Sequence, residues 1–126
     1  VNGRSRRSGD LGEALAVALL EQRGWKLVER QARVCGHHID ALMLDPDATE
    51  VLVQVKAWQP GGGGQDTVKK DIADAWHLRY CGERRPIMLV LTTPLRWPGL
   101  RHMVADALAA DLYNAVLIVN TKEMTR

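Results

Sequence analysis

Residues 37–58, HHIDALMLDPDATEVLVQVKAW, decide the fold, because they hold two alternating runs joined by a cluster of turn formers. Along HHIDALML, His38, Asp40, Leu42 and Leu44 fall on one face of a strand and Ile39, Ala41 and Met43 on the other. Along EVLVQVKAW, Gln54 and Lys56 share a face with Leu52, while Val51, Val53, Val55 and Ala57 form the opposite, apolar face. DPDAT between the runs predicts an antiparallel hairpin. A turn about Asp47 sets Asp40 opposite Gln54 and His38 opposite Lys56, where paired β-carbons stand about 5 Å apart. An amide and an ammonium on a half-buried strand are costly to desolvate without partners. Their convergence with a carboxylate at one end of the hairpin therefore marks a candidate site.

Working outward, residues 10–22 (DLGEALAVALLEQ) predict a helix with Asp10 as N-cap and Gly24 as its stop. The run ALAVALL is apolar nearly all round, so packing on more than one side is expected. WKLVERQARV predicts a strand before the hairpin. After it, QPGGGG (59–64) predicts a flexible loop, and residues 65–80 a helix with Val68, Ile72, Ala75, Trp76 and Arg79 at helical spacing. PIMLVLTT, bounded by Pro86 and Pro94, has the continuous apolar character of a strand covered on both faces. Pro98 opens a second crossover helix carrying Leu100, Val104, Ala107 and Leu108, and NAVLIVN predicts a last buried strand. The order αβββαβαβ implies an α/β fold, a central mixed sheet flanked by helices on both faces.

The 126 residues suit a single domain, 1–126, with a short basic N-terminal arm over about 1–9. Hydrophobic residues make up 46% and charged residues 25% of the chain, which argues against disorder. No apolar stretch reaches the length of a membrane span, so no membrane partner and a cytoplasmic location are expected. Cys35 and Cys81 lie far apart with no CxxC pair and are read as reduced thiols without a metal or redox role. The net charge of +2 says little about nucleic acid, but the distribution says more. Arg4, Arg6 and Arg7 sit in the arm, and Lys69 and Lys70 on the first turns of the helix after the glycines, where they would contact phosphate.

Asp40 is a hard anionic ligand suited to Mg²⁺, which binds through one or two carboxylates and keeps waters or phosphate oxygens elsewhere. Gln54 can offer a carbonyl oxygen to the same ion. Lys56 can orient a water and offset charge building on a phosphate. The simpler reading of Asp40 and Lys56 is an internal ion pair. Glu13 also has two readings: three residues after Asp10 it fits a capping box, and from the start of a helix lying across the sheet it could reach a metal. His38 could contact a phosphate or be the hydrogen-bond partner of Asp40. Trp58, Trp76 and Trp97 are read as core or rim residues, and Thr92 and Thr93 as caps at the sheet edge.

These residues resemble the PD-(D/E)xK nuclease superfamily: GHHID places the acid on one strand, VQVK the x-x-K element on the next, and a helix and strand follow. A glutamine in place of the usual acid, then VLTTP and NAVLIVN, is similar to the Mrr-type restriction endonuclease catalytic domain. The resemblance implies a restriction-endonuclease-like fold and a metal-dependent DNA endonuclease hydrolysing phosphodiester bonds, with Mg²⁺ as cofactor and Mn²⁺ able to substitute. It implies Asp40, Gln54 and Glu13 on the metal side and Lys56 as catalytic lysine. His37 and His38 stand where the Mrr pattern tends to have small residues, and no separate target-recognition domain is expected. Cutting both strands of DNA calls for two sites and hence a homodimer. Alternatives are a Holliday-junction-resolvase-like nuclease, a catalytically inactive DNA-binding or assembly module of the same fold, and a subunit of a larger DNA-processing or defence complex.

Overall fold

A computed structural model describes residues 3–56, 64–92 and 95–119, with the side chains of 3–10 and 64–65 outside that description. Trp58, most of the glycine loop, Thr93, and the side chains of Arg4, Arg6 and Arg7 therefore lie outside the described residues. The elements are α1 (Gly3–Gln22), β1 (Lys26–Val34), β2 (His37–Leu44), β3 (Glu50–Lys56), α2 (Gly64–Tyr80), β4 (Ile87–Leu91), α3 (Pro98–Ala109) and β5 (Ala115–Ile118). This is the αβββαβαβ order that the hydrophobic pattern implies.

The five strands form one mixed sheet in the order β1-β2-β3-β4-β5. β1, β2 and β3 pair antiparallel through two hairpins, and β3, β4 and β5 pair parallel. The parallel pairs need crossovers, which α2 and α3 supply. Both crossovers step the same way across the sheet, so α2 and α3 cover one face, where Val68, Ile72, Ala75, Leu78, Leu100 and Val104 pack on Leu52, Ile87, Leu89 and Leu91. On the other face Ala16, Val17 and Leu20 of α1 pack with Ala41, Met43, Val51, Val53, Val55, Met88 and Val90.

Several expectations are corrected. α1 starts at Gly3, so the basic segment from Gly3 on is helical, Asp10 is not a cap, and Glu13 lies in the helix interior. The buried stripe of α1 is one-sided: Ala16, Val17 and Leu20 are inside while Leu11 is exposed. β5 is an edge strand with Ala115 and Ile118 exposed, because nothing pairs beyond it in the described sheet. Trp76 and Trp97 are rim residues, and Leu108 points outward. Among the described residues no helix is long and apolar enough to cross a membrane.

The second hairpin turns as DPDAT predicts: Asp45 Oδ1 accepts from the N–H groups of Asp47 and Thr49 at 2.9 and 2.8 Å. Its register is the anticipated one, with Leu44 against Glu50, Met43 against Val51, Leu42 against Leu52 and Ala41 against Val53. The first hairpin turns through Cys35 and Gly36, both with positive φ (51° and 81°), the signature of a type I′ turn whose twist matches the strands.

One irregularity reshapes the sheet beside the candidate site. Gln31 of β1 has φ of 54°, in the left-handed region that a side chain disfavours. It falls between the paired positions Arg30↔Ala41 and Ala32↔Ile39, across from Asp40. Alternation slips there: Ala41 and Met43 pack toward α1, whereas Ile39 and Ala32 pack with the α2 and α3 side. The expected grouping of Ile39 with Ala41 and Met43 is thus overturned. The tip of the first hairpin bends over α2, and Asp40 stands at the bend.

Candidate active site

Beyond the Ala41/Val53 pair the main-chain ladder between β2 and β3 stops, and side chains take over the bonding. The Asp40 N–H donates to Gln54 Oε1 at 3.0 Å, and Gln54 Nε2 donates to the His38 carbonyl at 3.2 Å. The Val55 N–H donates to Asp40 Oδ2 at 2.7 Å. Gln54 is therefore a spacer that satisfies one donor and one acceptor of β2 where the strands part, which explains a buried amide among valines. Asp40 is wedged between the strand ends by one oxygen, and its Oδ1 takes no hydrogen bond from the described residues.

Burial raises the Asp40 carboxyl above its ordinary range, with the Val55 N–H and the Lys56 ammonium opposing it and Glu13 and Asp71 adding to it. The Lys56 ammonium is not spent on Asp40. Its Nζ stands 3.7 Å from Oδ1 of Asp71 on α2. Asp71 is 2% exposed and its other oxygen accepts a hydrogen bond from Tyr113, which is fully buried. Desolvation pushes the Asp71 carboxyl up, against the pull of Lys56 and the Tyr113 hydroxyl. Desolvation and Asp71 in turn push the Tyr113 hydroxyl upward. Thr92, at the end of β4, closes the site from the side: its N–H and hydroxyl both donate to the Lys56 carbonyl, at 3.1 and 3.3 Å.

Glu13 is buried on the inner face of α1, in the stripe that holds Ala16, Val17 and Leu20. Its Oε1 accepts from Arg30 at 2.8 Å and from Gln31 Nε2 at 3.0 Å, and Gln31 also reaches Oε2 at 3.2 Å. The capping-box reading fails, since the helix begins a full two turns earlier. Glu13 faces the sheet, and its carboxylate is held by Arg30 and Gln31 of β1. The left-handed Gln31 is what aims that amide at it.

The remaining candidates are scattered. His38 is exposed and meets Arg33 at 3.2 Å, so it is not the partner of Asp40. Lys69 lies over the Trp97 ring, 4.7 Å from its centroid, a cation–π contact that ties α2 to the segment before α3. Lys70 is exposed. Asp71, Tyr113, Arg30 and Gln31 were absent from the sequence-derived set. Asp71 had a signal: it interrupts the buried stripe Val68, Ile72, Ala75 and Leu78 of α2 as Glu13 interrupts that of α1, and a charge on an inner stripe demands a partner.

Any divalent ion here would be lightly held. Mg²⁺ asks for only one or two carboxylates and keeps waters, and Asp40 Oδ1 is the oxygen open to it. Gln54 Oε1 already accepts one hydrogen bond and retains one lone pair, and Glu13 would have to share oxygens with Arg30 and Gln31. As the side chains stand, no group of three His, Cys, Asp or Glu among the described residues is arranged to hold an ion.

No family model matches the chain. It is 41% identical over 49 residues to a UPF0102 protein of Bifidobacterium longum subsp. infantis, a stretch covering 39% of this chain and 40% of that one. It is 39% identical over 57 residues to a UPF0102 protein of Albidiferax ferrireducens, covering 43% and 44%. Those matches take in under half the length of the curated relatives. Among solved structures it resembles EndoMS in a complex with double-stranded DNA (TM-score 0.51, 16% identity, 86% of this chain and 44% of that one). A repair endonuclease from Pyrococcus abyssi is similar too (TM-score 0.50, 14% identity, 83% and 45%). The fold is thus the restriction-endonuclease-like one.

Proposed function

We propose that the chain is a divalent-metal-dependent DNA endonuclease domain that hydrolyses phosphodiester bonds. The observation that carries this reading is the parting of β2 and β3, which leaves one Asp40 oxygen without a partner among the described residues and the Lys56 ammonium nearby, partly open to solvent at 21% exposure. The endonuclease neighbours of the same fold support it. Mg²⁺, with Mn²⁺ as substitute, would be held by Asp40 and by the Gln54 carbonyl, and when bound would polarise the phosphate and lower the pKa of a water.

The chain's own residues would then divide the work. Asp40, pinned by the Val55 N–H, keeps its free oxygen in one place. Lys56 donates toward the phosphate oxygens as negative charge grows there, and its weak pairing with Asp71 lets it swing without becoming an unpaired buried charge. Asp71 and Tyr113 hold that ammonium at the strand end. Lys70 would contact backbone phosphate without reading sequence. Mrr-like restriction, on a homodimer with one site per strand, is the finer form we favour.

A specific observation favours a second reading, a DNA-binding or assembly module with weakened chemistry. Glu13 is neutralised by Arg30, and Gln54 replaces a charged ligand with an amide spent on the strands. The test is cleavage of plasmid, linear and four-way-junction DNA with Mg²⁺ or Mn²⁺, for wild type, Asp40→Asn and Lys56→Ala. Metal-dependent cutting that both variants lose supports the nuclease, and the preferred substrate separates restriction from junction resolution. DNA binding without cutting by wild type supports the module.

A further inference from the structure

The chain has only two cysteines and four histidines, and both cysteines and two of the histidines meet at one place far from any need of the hairpin or the core. Cys35 and His37 flank Gly36 in the I′ turn of the first hairpin. His77 and Cys81 stand four apart at the C-terminal end of α2, hence on one helix face. The Gln31/Asp40 bend brings the turn down on that helix end. His37 Nε2 and His77 Nδ1 share a hydrogen bond at 2.6 Å, and Cys81 Sγ lies 3.5 Å from His77 Nε2. Cys35 stands in the same turn two residues before His37, so the hairpin tip that brings His37 to His77 carries Cys35 with it.

We infer that Cys35, His37, His77 and Cys81 form a Zn²⁺ site that staples the hairpin tip to α2. Two thiolates and two imidazoles are the donor set of closed structural zinc sites, where four protein ligands leave no open position. The spacings Cys-x-His and His-x3-Cys bring two short-range pairs from two elements, as such sites require. A second observation points the same way. Asp74 Oδ1 lies 3.6 Å from His37 Nδ1, on the ring edge opposite the cluster. A carboxylate on the far nitrogen of an imidazole is the arrangement that orients metal-ligating histidines and raises their basicity.

Two nitrogens bound to one tetrahedral zinc would lie about 3.3 Å apart, wider than the 2.6 Å seen between His37 and His77. Uptake therefore replaces that hydrogen bond and releases the two thiol protons, and the exposed His77, Cys35 and Cys81 can turn without disturbing the core. Zinc there would lock the bend from which β2 runs back to Asp40, three residues after His37.

The test is zinc content and Co²⁺ spectroscopy on the full chain, purified under reducing conditions, for wild type, Cys35→Ser, Cys81→Ser and His77→Ala. The expected result is one tightly held zinc per chain, a Co²⁺ spectrum with a thiolate charge-transfer band, and at least a tenfold loss of affinity in each variant. Lys56→Ala should bind zinc as wild type does, which keeps this outcome separate from the nuclease reading. Wild type that takes up no stoichiometric zinc, a double cysteine variant that still holds it, or a Co²⁺ complex without the thiolate band would overturn the inference. So would a Cys35–Cys81 disulfide that, once reduced, yields protein unable to take up the metal.

Discussion

Lys56 pairs with Asp71 across the β3–α2 boundary, Nζ to Oδ1 at 3.7 Å, and not with Asp40 on the neighbouring strand. The distinction matters chemically. An ammonium neutralised by Asp40 would compete with any cation for the same carboxylate, whereas one held from behind by Asp71 leaves Asp40 Oδ1 uncommitted among the described residues. It also makes Asp71 the residue whose removal the fold should feel most among the polar groups of the site.

Asp71→Ala should destabilise the protein by about 3 kcal/mol, since it leaves the buried Tyr113 hydroxyl and part-buried Lys56 without a partner. Urea denaturation of wild type and variant gives the difference. A change below about 1 kcal/mol would mean that Lys56 and Tyr113 find new partners readily.

The same carboxyl predicts a pH dependence. Folding raises the Asp71 affinity for a proton above that of the unfolded chain, whose ordinary value is 3.8. The folded state is therefore favoured as pH falls from above the folded value toward 3.8, and the gain is complete below it. Asp71→Asn does not titrate, so the stability of wild type relative to this variant should rise as pH is lowered through that window. Paired denaturation curves at several pH values check the sign.

Gln54→Ala should cost about 2 kcal/mol, because it orphans the Asp40 N–H and the His38 carbonyl where the strands part. Gln54→Glu still accepts from Asp40 but cannot donate to His38 while ionised, so it should cost less than the alanine variant, and if the nuclease reading holds it should strengthen metal binding. Thermal unfolding and Mn²⁺ titration of the two variants separate these effects.

Asp40→Asn should fold normally, because the amide oxygen can still accept from the Val55 N–H. Under the proposed function its cleavage rate should fall at least about a hundredfold, the loss of about 2.7 kcal/mol of transition-state stabilisation. Circular dichroism beside a cleavage time course shows whether activity and folding separate.

Ala48 has φ of 64° in the exposed turn of the second hairpin. Ala48→Gly should stabilise the protein by about 0.5 kcal/mol, the relief of left-handed strain exceeding the added unfolded-state entropy. A lowered melting temperature would show that the alanine is not strained there.

The amino-acid pattern alone determined a good deal. Turn chemistry at DPDAT and period-two alternation set the β2/β3 register, and that register put Asp40 beside Gln54 at the end of the ladder. Crossover order and apolar runs determined the mixed sheet and its helical layers, because those signals are local and the parallel pairs have few ways to connect. Tertiary structure decided the rest. Which carboxylate holds Lys56, whether Glu13 is free or clamped by Arg30 and Gln31, and which face Ile39 takes all depend on residues distant in sequence. Two of these meet at a single left-handed residue, Gln31, that no periodicity announces: its amide holds Glu13, and it stands across from Asp40 where Ile39 changes face. The meeting of Cys35 and His37 with His77 and Cys81 has the same origin: each pair is visible as a spacing, but only the bend of one hairpin over α2 brings the pairs together.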